Sequence, residues 1–96
     1  MDEQFHLCLA VSTAGHDQGM VCLIVGEEEQ YFFLADGRQR KVEKPKKKKR
    51  KHVIVIVGDD GKPIRFDGTM LTNRILREWI RKQTDETDTE RRNYSG

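Results

Sequence analysis

Residues 38–51 read RQRKVEKPKKKKRK and hold ten of the chain's 18 lysines and arginines against a single acid, Glu43. Like charges packed this closely repel one another, so the run is excluded from any core and must face water or a polyanion. Residues 1–37 carry seven acids and no lysine or arginine, and residues 52–96 balance eight bases with eight acids. The formal net charge of +2 therefore conceals a strong asymmetry. Dense phosphate suits such a run, because each phosphate neutralised releases a condensed counterion. A solvated linker and, in a eukaryotic chain, a nuclear import signal over residues 45–51 are the alternative readings.

The apolar residues lie in short runs on either side of this block. Residues 7–12 (LCLAVS) and 20–26 (MVCLIVG) are too short for typical helices and predict the first two strands, joined by a glycine-bracketed loop over 13–19. Residues 31–35 (YFFLA) predict a third, dense in aromatics. Asp36-Gly37 then predicts a two-residue hairpin, with residues 38–43 as its return strand. Pro45 cannot donate a ladder hydrogen bond, so pairing is expected to lapse there and leave residues 46–51 as an exposed, mobile connection. Residues 52–57 (HVIVIV) predict the fifth strand.

Five short strands in so few residues suit a small antiparallel barrel, which also removes open edges. Side chains two apart on a strand share a face. A first hairpin turning near His16 puts Cys8 and Cys22 on one face. Leu7, Leu9, Val11, Val21, Leu23 and Val25 share the other, which is the expected core. All of Tyr31, Phe32 and Phe33 are expected in that core too, although their alternation leaves room for one or two to face outward and stack on bases.

Past residue 57 the pattern changes. Residues 58–63 predict a turn and residues 64–66 a short strand returning along the fifth. Residues 72–82 predict an amphipathic helix, capped by Thr72 and carrying Ile75, Leu76, Trp79 and Ile80 on one stripe. The stripe is expected to pack on the barrel. Residues 84–96 have only Tyr94 to bury and read as a disordered tail. The organisation expected is thus a barrel over 1–57 with a basic arm at 44–51, an appended turn and helix over 58–83, and a tail.

Enzymatic readings find little support. His6, His16 and His52 are scattered, and no nucleophile motif surrounds Ser12 or either cysteine. Cysteines this far apart on strands give no metal-site signature, and the 15–19 loop lacks the Lys-Ser/Thr of a P-loop. No catalytic residue, metal or cofactor is expected. An acidic start argues against a secretory signal, and the longest apolar run is too short for a bilayer. A cytoplasmic protein, monomeric when free, is the expectation.

Residues 9–21 (LAVSTAGHDQGMV) resemble the KOW motif, which opens the SH3-like barrels of several ribosomal proteins and elongation factors. The continuation YFFLADG … RKVEKPKKKK … KH is similar to small bacterial KOW-domain RNA-binding proteins. These are related to the large-subunit ribosomal protein family of the archaeal and eukaryotic "fourteen-e" type. The resemblance covers about residues 6–57 and is most specific over 34–52. It implies an SH3-like barrel but does not explain residues 59–82. With the elements read above, the expected fold is mainly β, a small SH3-like antiparallel barrel of about five strands with a C-terminal amphipathic helix appended. The resemblance also implies a non-catalytic, ribosome-associated module that binds ribosomal or other structured RNA and works beside ribosomal, transcription or translation proteins.

Gly19 corresponds to the family's hallmark glycine and Gly15 to its common partner. Family members often carry a basic residue between the two, where this chain has His-Asp-Gln, so His16 and backbone N–H groups would serve there. The resulting RNA-binding set is Gly15, His16 and Gly19 with Arg38, Arg40, Lys41, Lys44, Lys46, Lys47, Lys48, Lys49, Arg50 and Lys51. An alternative function of a different class is a protein–protein adaptor that uses the acidic face (Asp17, Glu27, Glu28, Glu29, Asp36) or the Trp79 helix.

Overall fold

β-branched and aromatic residues fit a pleated, half-buried surface, and they form the first strands where the sequence places them. The structure, a computed structural model, describes residues 4–95, with side chains for residues 4–84. Strand β1 (Leu9–Ser12), a 3-10 turn (Gly15–Asp17), β2 (Val21–Glu27) and β3 (Tyr31–Ala35) follow in order. Next come β4 (Lys46–Lys49), a second 3-10 turn (Arg50–His52), β5 (Val53–Val55) and helix α1 (Asn73–Ser95). The strands make one antiparallel sheet in the order β4-β3-β2-β1-β5. Its two outermost strands are joined directly through the three-residue turn, so the sheet curls round into a small barrel-like fold.

The largest departure from expectation is β4. Residues 38–43 form no strand. Instead the Asp36 carboxylate accepts hydrogen bonds from the Arg38 and Arg40 amides (3.0 and 2.9 Å), and the Asp36 and Gly37 amides donate to the Arg40 carbonyl. These bonds close a local loop at the point where a hairpin was expected to return. The place beside β3 is taken by the lysines: Tyr31, Phe32, Phe33 and Leu34 pair with Lys49, Lys48, Lys47 and Lys46. Residues 46–49 are thus a strand and not a mobile connection. A sheet edge is where a lysine-rich strand fits, since one side stays in water and the charges discourage further pairing. Pro45 stands just ahead of the strand, a position that asks no ladder bond of it.

The expected core face is also corrected. The cysteine face lines the interior, where Cys8, Ala10, Cys22 and Ile24 meet Phe32 and Leu34, with Phe5, Met20, Val53 and Val55 around them. Small barrels leave room inside for such short side chains. On the other face Leu23 and Ala35 are buried under Phe66 and Leu76, with Leu7, Val25, Trp79 and Ile80 packed alongside. Leu9 is buried as well, whereas Val11 and Val21 stay half-buried. A bulge between Ile24 and Gly26 admits Val25 as an extra residue and bends β2.

Thr72 caps α1 by accepting the Ile75 amide at 3.1 Å. The helix packs on the sheet through Leu76, and Trp79 meets Phe66 edge to face at 5.5 Å. It runs to Ser95, past the expected end at Lys82, with no glycine or proline between Asn73 and Ser95 to break it. The side chains of the tail expected over 84–96 lie outside the described residues beyond Thr84. The return over 64–66 appears as isolated bridges, Val57 to Pro63 and Cys8 to Arg65. Among the described residues no helix is long and apolar enough to cross a membrane.

Candidate nucleic-acid interface

Side chains alternate along β4, and the alternation divides its lysines into two sets. Lys46 and Lys48 are half-buried, while Lys47 and Lys49 are exposed. Lys48 reaches under the 15–19 loop. Its ammonium donates to Ser12 Oγ (3.0 Å) and the Ala14 carbonyl (2.7 Å) and sits 3.3 Å from Asp17 Oδ2 as an ionic contact. Both side chains are nearly enclosed, 10% exposed for Lys48 and 8% for Asp17. Arg40 approaches the other Asp17 oxygen at 3.6 Å. Burial alone would raise the Asp17 pKa, but the Lys48 ammonium, with Arg40 and Lys46, outweighs it. The carboxyl is held below the usual carboxylate range.

The 15–19 loop and the basic segment thus meet through the Lys48–Asp17 and Arg40–Asp17 pairs. Gly15 and Gly19 have φ of +77° and +88°, a conformation that only glycine adopts readily. His16, Gly19 and Arg38 line one open cleft of about 310 Å³, together with Asp17, Asp36 and Gln39. His16 and Arg38 are exposed on its rim.

The remaining cations lie elsewhere. Lys47 sits 3.4 Å from Glu28 and 4.5 Å from the centre of the Tyr31 ring. Arg50 donates to Glu27 Oε1 (3.0 Å) and to the Glu28 carbonyl (2.8 Å) and lies over the Phe32 ring at 4.4 Å. Glu27, only 4% exposed, also accepts the Phe5 amide, so Arg50 closes one end of the fold. Lys49, Arg50 and Lys51 border a second cleft of about 310 Å³ with Glu29 and Gln30. Lys41 and Lys44 are exposed on the loop between β3 and β4. That loop is tied to α1, because Asn73 accepts the Val42 amide (2.7 Å) and donates to Glu43 (2.8 Å). The Asn73 bond holds the exposed Glu43 carboxyl below its ordinary range.

Arg40, Lys47, Lys48 and Arg50 are thus paired with acids of the first 37 residues. Among the described residues Arg38, Lys41, Lys44, Lys46, Lys49 and Lys51 enter no ion pair. The basic segment is partly folded back on its own chain, and much of the acidic face is used up in holding it. Sequence reasoning missed Ser12, Asp17 and Glu27 as anchors; the acids' position at the two ends of the second strand was the available signal. It also misplaced the aromatics. Phe32 alone is buried, and Tyr31 and Phe33 lie half-buried on the opposite face. Trp79, offered as a partner anchor, is half-buried against Phe66.

The thiols are inert by environment. Burial, with the charges of Asp36 and Asp17, pushes Cys22 up to about 12, and burial also raises Cys8. Among the described residues no group of three or more histidines, cysteines or acids converges to hold a metal. In comparison with known proteins, no family model matches the chain and no curated protein matches it.

Proposed function

We propose that the chain is a non-catalytic RNA-binding module that grips phosphate backbone with the basic residues that enter no ion pair among the described residues. The observation that carries this reading is the set Arg38, Lys41, Lys44, Lys46, Lys49 and Lys51, which enters no ion pair among the described residues. Lys46 and Lys49 stand on a strand hydrogen-bonded to β3, and Lys41 and Lys44 on a loop tied to the helix. A rigid mount lowers the ordering cost of binding compared with a flexible arm. Lysine ammonium groups act on phosphate as point charges without reading bases, so shape outweighs sequence in what is bound. The KOW resemblance points to ribosomal RNA as the class of partner.

The test changes unpaired lysines and spares Lys48, which the fold needs. Lys41, Lys44, Lys49 and Lys51 are replaced together by glutamine, and RNA affinity is followed against salt. The slope of log K against log salt flattens by about 0.7–0.9 for each phosphate that the variant no longer neutralises. A slope equal to that of the wild-type chain overturns the proposal, as does failure of the wild-type chain to retain RNA at low ionic strength.

A further inference from the structure

Tyr31, Phe33 and Ala35 share the outer face of β3. Among the described residues helix α1 covers that face at Ala35, which is fully buried and packed with Leu23, Phe66 and Leu76. Beyond the helix, Phe33 and Tyr31 stay half-exposed, and the register sets Lys47 beside Phe33 and Lys49 beside Tyr31. On the other side of Phe33 the partner residue on β2 is Gly26. The ring packs close against it, with Cδ2 3.2 Å from where a Cβ would stand. No side chain from that position rises beside the ring. The result is a pair of aromatic rings on a rigid sheet, flanked by exposed ammonium groups.

We propose that Tyr31 and Phe33 form a stacking platform for unpaired bases, so that the RNA recognised through this face is single-stranded or looped. The proposal rests on the RNA-binding reading and adds to it the class of RNA. Every base has a π-face, so stacking on aromatic rings is tolerant of sequence, and cations beside the rings hold the sugar–phosphate chain. Bases inside a continuous A-form duplex have their faces occupied by neighbours and cannot lie on the rings. Lys47 already rests 4.5 Å from the centre of Tyr31 and 6.0 Å from that of Phe33. Its ion pair with Glu28 (3.4 Å) is on the surface and weak, so the ammonium can exchange that carboxylate for the phosphate of a stacked nucleotide. The lysines also favour a polyanion over an apolar protein surface on this face.

The experiment measures the affinity of the full chain for a labelled single-stranded RNA and for a blunt-ended duplex of two complementary strands of equal length, over a series of ionic strengths starting low. In the double variant Tyr31→Leu/Phe33→Leu, affinity for the single strand falls about tenfold or more while affinity for the duplex changes less than about twofold. The salt slope stays as in the wild type, because no charge has been removed. A second variant, Phe33→Trp, keeps an aromatic face over Gly26 and serves if the double variant does not fold. Its added indole is quenched by the single strand and unaffected by the duplex. Equal losses on both RNAs, no loss on either, or an indole blind to the single strand overturns the platform while RNA binding stands. Absence of all RNA binding by the wild-type chain removes the broader reading, and this one with it.

Discussion

Lys48 directs its ammonium inward, to a hydroxyl, a carbonyl and the carboxylate of Asp17. Replacing it with methionine leaves Asp17 nearly enclosed and without its nearest cation, at a cost of about 2–3 kcal/mol in unfolding free energy. Asp17→Asn breaks the same pair from the other side. Urea denaturation of the single and double variants gives a coupling energy of about 1 kcal/mol or more; additive losses would show that the two groups do not act as a pair. The pH dependence follows from the lowered Asp17 pKa. A depressed carboxyl contributes stability that is present above the unfolded value, about 3.9, and lost as pH falls through the folded one. The gap between wild type and Asp17→Asn therefore closes in acid below that window. Lysine content could be counted from the chain, but the inward turn of this one lysine depends on a register that pairs Phe32 with Lys48, a long-range match that local pattern does not encode.

At the level of elements, the first three strands and the helix start were legible because their signals are local: alternation, β-branching and a capping threonine. The fourth strand was not, because two local signals competed. Asp-Gly usually marks a two-residue hairpin, yet here the Asp36 carboxylate captures two amides of its own loop. Gly37 is needed for a reason the hairpin motif does not contain. Its φ is +79°, and a Cβ there would run into the Asn73 carbonyl and crowd Arg77 at the start of α1. Arg77 in turn donates to the Gly37 carbonyl at 2.8 Å. Gly37→Ala should cost about 2–3 kcal/mol and loosen the start of the helix, combining left-handed backbone strain with a clash. Gly19→Ala meets open space and carries the backbone strain alone, about 1 kcal/mol. Thermal unfolding of the two variants compares them directly, and equal losses would deny the contact between loop and helix. The face chosen for the core misled for a similar reason: both faces of β2 are buried, so alternation does not say which one a small barrel turns inward.

For the whole molecule, the sequence divides into an acidic third, a basic block and a balanced remainder, and the fold brings the first two together. Asp17, Glu27 and Glu28 hold Arg40, Lys47, Lys48 and Arg50. The mainly β architecture could be read from run lengths, whereas this internal neutralisation could not, because composition records charges and not their neighbours. It separates the lysines into those that keep the fold together and those that remain available to a partner. The four lysines of β4 also open the densest stretch of trypsin sites in the chain, the unbroken run over residues 46–51. A protease must draw a segment out in extended, unpaired form before it can cut, and these bonds are held between β3 and a short turn leading into β5. Within the basic block, brief digestion of the native protein should therefore cut first after Arg38 or Lys41 (the Lys44–Pro45 bond resists trypsin), leaving the KKKK strand whole, and mass spectrometry of the earliest fragments would reveal any other order.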